Sequence, residues 1–269
     1  MPAYLDAILH AHRAAAAVDR RDVAGTVARV RREVAQRADG DRRDFVAALV
    51  AGHRERGMAV ISEIKRRSPS RGDLDPGLDP ATVAADYAAG GASCLSVLTD
   101  QEFFGGTPSD LVAARGACGL PVLRKDFTVG PLDVCDAAVM GADAVLLIVA
   151  ALDDGELGSL VALATELGLA ALVEVHDERE LDRALAVGAR LVGVNQRDLR
   201  TFDVDRERAL LMAEAMPAGL VAVAESGIRD ATDVERLAAA GYTAVLVGET
   251  LVRSADRASA VDGLLGARA

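Results

Sequence analysis

Two opposite charges stand close together in one apolar stretch of the sequence, Val60–Gly72 (VISEIKRRSPSRG). Because side chains alternate across a strand, Glu63 and Lys65 are predicted to share one face of a strand with Ile61. Turning two charges toward an apolar side chain either costs desolvation free energy or forms part of a site. A carboxylate and an ammonium group together can supply a base, an acid and a cation. We therefore expect this strand to form one wall of a catalytic site.

Polar residues, and in one case a glycine, follow five later apolar runs of the sequence. They are Lys125 in LRKDF, Glu174 in LVEVH, Asn195 and Arg197 in VNQRD, Glu225 and Ser226 in AESGI, and Gly248 in VLVGET. A single charged residue at the end of a strand is usually solvated, but such residues at six ends within one fold indicate a shared site. Lysines and glutamates that alternate around one opening also supply the partners that buried charges require.

Several neighbouring residues are not included in this predicted site. Four of them are predicted to face helices or solvent in structural roles: Arg66, Arg67, Arg124 and Asp126. His176 shares the parity of Glu174 but lies further out along the chain, so it is predicted to lie at the rim.

The elements that carry these residues alternate regularly along the chain. Eight β-rich runs are predicted as strands: Ala59–Lys65, Cys94–Leu98, Val122–Arg124, Ala144–Val149, Ala170–Val175, Leu191–Asn195, Val221–Glu225 and Ala244–Val247. Helices are predicted near 80–90, 107–118, 131–140, 154–167, 177–187, 205–214, 230–240 and 255–266. Several of these helices end in a glycine that leads into the next strand.

Eight successive strand–helix units predict the α/β class, with parallel strands joined by right-handed crossovers. They fit a closed (β/α)8 TIM barrel, whose active site lies at the C-terminal ends of the strands. The alternative is a doubly wound open sheet, which normally has a glycine-rich phosphate loop after its first strand, where this chain has KRRSPSRG. Residues 1–56 are predicted to be an N-terminal helical extension packed on a catalytic barrel of residues 57–269, within a single structural domain.

Two glycine-containing loops follow the seventh and eighth predicted strands. ESGI precedes a helix predicted to begin near Arg229, and VGETL precedes a short final helix. Backbone N–H groups at helix N-termini bind phosphate, and barrel enzymes commonly bind phosphate in these two loops. We therefore expect a phosphorylated substrate, with Ser68 adding a hydroxyl group. The sequence contains no cluster with metal-ligand spacing and no serine nucleophile elbow.

The composition of the 269-residue chain argues against several classes of function. The net charge of −11 disfavours general binding of nucleic acid or anionic membranes, although local charges can still bind a small anion. The three cysteines, Cys94, Cys118 and Cys135, lack CxxC spacing and are predicted to be reduced, buried thiols of a cytoplasmic protein. No apolar run is long enough to span a membrane, and the N-terminus does not read as a signal peptide.

With these residues assembled, the chain resembles the indole-3-glycerol phosphate synthase family of the tryptophan pathway. The matching segments include ISEIKRRSPSRG, GGASCLSVLTDQEFFGG, PVLRKDF, GADAVLLIVAAL, LVEVHDERELDRALAVGARLVGVNQRDLRTF, VAESGI and VLVGETLVRS. They follow one another in order over nearly all of residues 58–254, and they include residues from almost every predicted strand end.

The resemblance implies ring closure of 1-(2-carboxyphenylamino)-1-deoxyribulose 5-phosphate to indole-3-glycerol phosphate, with loss of carbon dioxide and water. It implies that Lys125 is the general acid at the ribulosyl carbonyl and that Lys65 contacts the substrate carboxylate and helps in dehydration. It also implies that Glu174 is the acid–base group of dehydration and that Glu63 orients the lysines. Which lysine serves which step stays open. We expect two neighbouring lysines to lower each other's pKa.

The resemblance also implies binding roles and partners. Asn195 and Arg197 are expected to hold the anthranilate part of the substrate, and Glu225 and Ser226 to contact the ribulosyl hydroxyls. The residues expected to cradle the phosphate are Ser68, Gly227, Gly248 and Glu249. Phe104 and Phe127 are expected to line the pocket of the aromatic ring. No cofactor or metal is expected. The expected partners are the small phosphorylated substrate and other tryptophan-pathway enzymes, not nucleic acid or a membrane.

Departures from the family pattern are few, and two other functions are weighed against it. Gln196 stands where Asn, Ser or Ala is common, and Gly130 and Leu132 replace residues that are often Asp and Tyr. One alternative is a sister barrel such as phosphoribosylanthranilate isomerase, which usually works with a Cys/Asp pair, but the first predicted strand has no cysteine. The other alternative is a catalytically silent barrel. The intact lysines and glutamates of the predicted site count against it.

Overall fold

The computed structural model describes residues 4–37, 41–68 and 72–266, and it contains a closed barrel of eight parallel strands. The barrel strands are β1 (Ala59–Ile64), β4 (Cys94–Leu98), β5 (Val122–Lys125), β6 (Ala144–Ile148), β7 (Ala170–Val175), β8 (Leu191–Asn195), β9 (Val221–Glu225) and β10 (Ala244–Val247). Two further strands, β2 (Arg67–Ser68) and β3 (Gly72–Asp73), form a separate hairpin. Each barrel strand pairs with its neighbours in the chain, and β10 pairs with β1 to close the ring. The predicted TIM barrel is confirmed.

Helices precede the barrel and then separate its strands. They are α1 (Tyr4–Val18), α2 (Val23–Ala35), α3 (Phe45–Arg56), α4 (Pro80–Ala89), α5 (Gln101–Phe104), α6 (Pro108–Ala117), α7 (Pro131–Met140), α8 (Asp154–Glu166), α9 (Glu178–Ala186), α10 (Arg208–Ala213), α11 (Ala231–Ala239), α12 (Glu249–Val252) and α13 (Arg257–Leu264). Aspartate side chains cap the N-termini of many of them, as Asp79 does for α4 and Asp177 for α9. Within the described ranges, no helix combines the length and the apolarity that crossing a membrane requires.

Most predicted boundaries agree closely with the structure. β1 ends one residue before Lys65 because the chain turns into the hairpin, where the backbone N–H of Leu74 donates to the carbonyl of Arg66 at 2.8 Å. Val149 leaves β6 and begins a single 3₁₀ turn. The hairpin and the four-residue helix α5 were not predicted. Predictions that fall on residues 1–3, 38–40, 69–71 and 267–269 lie outside the described residues.

Glycines end the barrel helices in the way the sequence predicts. Those that lead from a helix toward the next strand have positive φ angles: Gly91, Gly141, Gly168, Gly188 and Gly241. A residue without a Cβ adopts this left-handed conformation at little cost, so the chain reverses direction there and enters the next strand.

The third helix joins the N-terminal segment to the barrel core. Phe45 and Leu49 of α3 are 1% and 0% exposed and belong to the same apolar cluster as the residues of β1. Nearby, the guanidinium of Arg43 donates to the carbonyl of Leu120 at 2.7 Å. These contacts tie the helical segment to the N-terminal side of β5.

Truncating Leu49 tests whether this packing contributes to the stability of the whole fold. Leu49→Ala is expected to lower the free energy of unfolding by about 2–5 kcal/mol, because it leaves a cavity between α3 and the barrel. The measurement is urea unfolding followed by circular dichroism. Val50→Ala is the matched control, since Val50 lies on the same helix but is 36% exposed. Equal unfolding midpoints for the two variants would contradict a shared core.

Candidate active site

A cavity of about 650 Å³ lies at the C-terminal ends of the barrel strands. The structure brings all of the predicted site residues together around it: Glu63, Lys65, Ser68, Phe104, Lys125, Phe127, Glu174, Asn195, Arg197, Glu225, Ser226, Gly227, Gly248 and Glu249. They come from many separate strand ends, and they meet because parallel strands in a barrel all end at one face.

Lys125 is the centre of a buried charge cluster in this cavity. Its Nζ lies 3.2 Å from Glu225 Oε2, 3.7 Å from Glu174 Oε2 and 3.8 Å from Glu63 Oε2. Lys65 Nζ donates a hydrogen bond to Glu63 Oε1 at 2.6 Å. Glu63 therefore lies between the two lysines, and the predicted shared face of Glu63 and Lys65 is confirmed.

The pKa of Lys125 is shifted in the direction opposite to the one expected from the sequence. Burial by itself lowers the pKa of this lysine, but the carboxylates of Glu225, Glu174 and Glu63 outweigh burial and raise its pKa above the ordinary value. The expectation that two neighbouring lysines lower each other's pKa is therefore wrong for Lys125, because three carboxylates surround its ammonium group. Lys125 is a protonated donor at neutral pH.

Two of the carboxylates around Lys125 have pKa values shifted in opposite directions. Burial favours the protonated form of Glu63, but the ammonium groups of Lys65 and Lys125 outweigh burial and lower the pKa of Glu63. Burial raises the pKa of Glu225 to about 7, because Lys125 offsets it only in part and the charge of Glu174 adds to it. Near neutral pH Glu63 is ionised, whereas Glu225 can gain or lose a proton.

Glu174 is held by two neighbours behind the cavity wall. Asn195 Nδ2 donates to Glu174 Oε1 at 3.1 Å, and His176 Nε2 lies 3.6 Å from the same oxygen. The prediction that His176 is a rim residue is wrong, because its side chain is only 13% exposed and contacts Glu180 as well as Glu174. Helix α9 begins directly after His176 and brings Glu180 against its ring.

Two glycines leave room for the charged side chains. A Cβ on Gly193 of β8 would lie 2.1 Å from Glu225 Oε1, and a Cβ on Gly248 would lie 2.5 Å from Glu63 Oε1. Neither distance is compatible with a real Cβ contact, so these positions give the carboxylates space. Gly248 thus borders the Glu63–Lys65 pair, in addition to preceding α12 in the predicted phosphate region.

Polar loops and arginines also line the cavity. Ser226 and Gly227 both have positive φ, and Ser68 Oγ is buried without a hydrogen-bond partner among the described residues. Three arginines that sequence reasoning missed also line the cavity at or near these loops: Arg206, Arg229 and Arg253. They lie in loops or short helices, where strand parity gives no signal.

The predicted helix N-terminus after ESGI is partly capped by a side chain. Helix α11 begins at Ala231, later than predicted, and the side chain of Asp230 accepts the backbone N–H of Asp233. This backbone N–H group is therefore not available to an anion.

Aromatic side chains form an apolar wall beside the charge cluster. The rings of Phe104 and Phe127 lie 6.4 Å apart between centroids and are tilted by 31°. Leu98 and Ile148 line the same cavity. This wall offers a planar aromatic ligand an apolar surface within the same cavity as Lys125.

The excluded charged residues prove to be mainly structural. Arg66 forms an ion pair with Asp110, and Arg124 pairs with Asp126 at 2.9 Å. Arg67 donates to the backbone carbonyl of Gln101. Asp126 departs from the prediction in one respect, because it also lines the cavity.

Helix α1 lies against the loops of the cavity, which the sequence did not indicate. His12 Nε2 lies 2.8 Å from Asp100 Oδ2 and 3.8 Å from Asp126 Oδ1, and both aspartates line the cavity. Arg13 donates to Glu156 and to the carbonyl of Ala151. The extension thus braces loops that follow β4, β5 and β6.

Among the described residues, His12, Asp100 and Asp126 are the group close enough together to hold a metal ion. Each of them already has a protein partner, since Asp126 Oδ2 accepts from Arg124 and Asp100 Oδ1 accepts the backbone N–H of Phe103. The contacts of these three residues connect α1 to the loops of the barrel.

Comparison with known proteins identifies the family. The sequence profile of "Indole-3-glycerol phosphate synthase" matches residues 5–264. A relative from Streptomyces coelicolor, "Indole-3-glycerol phosphate synthase 2", is 51% identical over 83% of this chain and 85% of its own length. The chain belongs to the indole-3-glycerol phosphate synthase family. A further relative of that name, from Chromobacterium violaceum, is 50% identical over 86% of this chain and 87% of its own length.

Membership of the synthase family confirms the predicted activity, and with it the assignment as a carbon–carbon lyase of tryptophan biosynthesis that acts on a small phosphorylated substrate. It decides against the isomerase alternative, and Cys94 agrees, because its Sγ contacts the carbonyl of Phe45 in the buried core. A solved structure titled 3-hexulose-6-phosphate synthase shares the fold, with a TM-score of 0.63 and 20% identity over 77% of this chain and 98% of its own.

Filling the space at Gly193 tests whether the position of Glu225 matters. Gly193→Ala is expected to displace the Glu225 carboxylate from Lys125 and to lower kcat by about 10- to 100-fold, since such misplacement of a charged group is costly. Initial rates of indole-3-glycerol phosphate formation give the readout, with circular dichroism to verify folding. Gly116→Ala is the control, because a Cβ there meets nothing within 4 Å. Wild-type kcat in Gly193→Ala would refute the crowding argument.

The raised pKa of Glu225 predicts a pH-dependent stability difference. In the folded protein the pKa of Glu225 is about 7, whereas its ordinary value is 4.5. The folded chain therefore keeps this proton up to a higher pH than the unfolded chain does. The stabilisation is present at low pH and is lost as pH rises toward and through 7. Relative to Glu225→Gln, the wild type should lose about 1–3 kcal/mol of unfolding free energy over this range. Urea unfolding of both proteins at several pH values measures the difference, and a constant difference contradicts the assignment.

Proposed function

We propose that the charge cluster around Lys125 carries out the ring closure, decarboxylation and dehydration of 1-(2-carboxyphenylamino)-1-deoxyribulose 5-phosphate. The observation that carries the proposal is a buried, protonated lysine with carboxylates of Glu225, Glu174 and Glu63 at 3.2–3.8 Å. The reaction requires a proton donor at a carbonyl, a base, and a cation for the substrate carboxylate. The cluster contains all three.

The use of lysine in this chain supports a proton-transfer role. The sequence has 28 arginines but only two lysines, and both of them, Lys65 and Lys125, line the cavity. A guanidinium group does not release its proton in proteins, whereas an ammonium group can do so. Both lysines of the chain are thus placed where the proposed reaction needs a cation that can donate a proton.

Lys125 acts first, as the general acid of ring closure. Its Nζ donates a proton to the ribulosyl C2 carbonyl oxygen while the aryl carbon that bears the carboxylate bonds to C2. Glu225 accepts a hydrogen bond from Lys125 at 3.2 Å and titrates near neutrality, so it can return a proton to the amine. Glu225 also contacts the ribulosyl hydroxyls, together with Ser226.

The substrate carboxylate and its aromatic ring are held until carbon dioxide leaves. Lys65, oriented by Glu63 at 2.6 Å, contacts the carboxylate. Asn195 and Arg197 hold the anthranilate part, and Asn195 Oδ1 accepts the backbone N–H of Arg197 at 3.0 Å. Phe104 supplies part of the apolar wall for the ring.

Dehydration follows decarboxylation and removes a proton from C1 and the hydroxyl from C2, so that the new C1–C2 double bond completes the aromatic indole. Glu174, aligned by Asn195 at 3.1 Å, moves the protons as the C2 hydroxyl leaves as water, and Lys65 assists. The two carboxylates with acid–base roles, Glu174 and Glu225, thus lie on either side of Lys125.

The phosphate binds at the polar loops of the cavity. Ser68 Oγ and the backbone groups of Gly227, Gly248 and Glu249 cradle it there, and the arginines that line the cavity near these loops add positive charge. The buried, unpartnered hydroxyl of Ser68 supports this assignment, because a buried polar atom normally has a partner.

We also propose the setting in which the enzyme works. Residues 1–56 act as an extension of the barrel of residues 57–269 within one structural domain, which the buried side chains of α3 support. The enzyme works in the cytoplasm alongside other tryptophan-pathway enzymes, and the three cysteines carry no disulfide. Affinity capture of the tagged protein from its own cells tests for those partners.

Turnover by the purified protein tests the catalytic assignment. Indole-3-glycerol phosphate formation from the carboxyphenylamino-deoxyribulose phosphate is followed by fluorescence, and rapid turnover is expected without added metal or cofactor. Lys125→Ala is expected to lower kcat by about 10²–10⁴-fold, because it removes the general acid. Lys125→Arg keeps the positive charge but cannot release a proton, so it should be similarly inactive while remaining folded.

Activity of Lys125→Arg close to that of the wild type would reduce Lys125 to an electrostatic role and overturn the general-acid assignment. A wild-type protein without turnover would overturn the proposed mechanism as a whole.

A further inference from the structure

One histidine next to the catalytic cluster has no role in the mechanism above. His176 follows β7 directly and lies behind Glu174, outside the set of described residues that line the cavity. Its Nδ1 lies 3.0 Å from Glu180 Oε2, and its Nε2 lies 3.6 Å from Glu174 Oε1. The imidazole ring thus connects a carboxylate on α9 with a carboxylate of the active site.

Glu180 is held in place by the start of its helix. Its Oε2 accepts the backbone N–H of His176 at 2.8 Å as well as the contact from the ring, and its own backbone N–H donates to Asp177 Oδ1 at 2.8 Å. Glu180 is therefore a fixed acceptor, and it keeps a hydrogen on His176 Nδ1.

This geometry selects the protonation state of the ring. A neutral imidazole has one N–H and one lone pair, so either neutral tautomer turns a lone pair toward one of the two carboxylates. Nε2 is buried and has no hydrogen-bond partner within ordinary distance among the described residues. The carboxylate that it faces is that of Glu174, at 3.6 Å. Only the imidazolium form presents a hydrogen to both Glu174 and Glu180.

The surrounding charges favour the same form. The groups that face His176 are Glu174 on its own strand, Glu180 on α9, Arg208 on α10 and Asp198 in the loop after β8. Burial and Arg208 work against a positive charge on the ring, but the carboxylates outweigh them, and the pKa of His176 lies above its ordinary value.

The consequence for Glu174 is a fixed orientation. Asn195 Nδ2 and His176 Nε2 both approach Oε1, which leaves Oε2 facing Lys125 at 3.7 Å and the cavity.

We propose that His176 is a positioning residue of the reaction: as an imidazolium bridged to Glu180, it orients Glu174 for proton transfer. This inference rests on the acid–base role proposed for Glu174. His176 itself contacts neither the substrate nor the reacting atoms.

The test separates charge from position with two substitutions. His176→Asn retains a donor near Glu180 but loses the group that faces Glu174. It is expected to lower kcat by about 10- to 100-fold with KM within about twofold, because only the alignment of the acid–base group changes. Its kcat–pH profile should also lack the alkaline limb that the wild type shows when the imidazolium of His176 loses its proton.

His176→Gln places a neutral donor near Glu174, so it should recover most of kcat but still lack this alkaline limb. Glu180→Gln should move the alkaline limb to lower pH, because it removes a carboxylate that raises the pKa of His176. Glu178→Gln, an exposed glutamate in the same helical turn, is its matched control. His53→Asn, at an exposed position on α3, controls for the loss of a histidine elsewhere.

Nitrogen-15 NMR of histidine-labelled wild-type protein gives a readout that needs no turnover. The signals absent from His176→Asn or His176→Gln should be those of an imidazolium at pH 7. A neutral ring, or a His176→Asn enzyme with wild-type kcat and pH profile, would overturn the proposal while leaving the synthase activity intact. Failure of the proposed mechanism itself is distinguished by a wild-type enzyme that does not turn over.

Discussion

The rest of the site depends on one buried ion cluster, in which Lys125 faces the carboxylates of Glu63, Glu174 and Glu225. A buried ammonium group is stable only when carboxylates compensate for its lost hydration. With Lys65, two cations face three anions, so burial, together with the surplus negative charge, raises the pKa of Glu225 to about 7. The same balance that keeps the cluster buried therefore provides a charged acid and a carboxyl that exchanges its proton near neutrality.

The barrel makes this cluster possible because it brings residues far apart in sequence to one end of a single ring of strands. Glu174 and Asn195 lie on adjacent strands, and Asn195 is in register with Glu225 on the next one. The space for these groups is also part of the fold, since Gly193 lies where any Cβ would collide with Glu225. Catalytic geometry and packing are thus set by the same backbone.

The helical extension contributes to the site from outside the barrel. Through His12 and Arg13, α1 contacts the loops after β4, β5 and β6, and Tyr4 packs edge-on against Phe103 and Phe202. Phe202 has a positive φ of 65°, an uncommon conformation for a residue with a side chain. The loops that surround the cavity are therefore braced by a segment that carries none of the predicted site residues.

Much of this protein could be predicted from its sequence because strand parity and strand–helix alternation are local properties. They indicated the barrel, the inward direction of Glu63, Lys65 and Lys125, and their meeting at one opening. Tertiary structure alone decided the rest, since protonation and bracing depend on groups distant in the chain. It placed three carboxylates around Lys125 and so raised its pKa, it turned His176 inward between Glu174 and Glu180, and it brought His12 to the cavity loops.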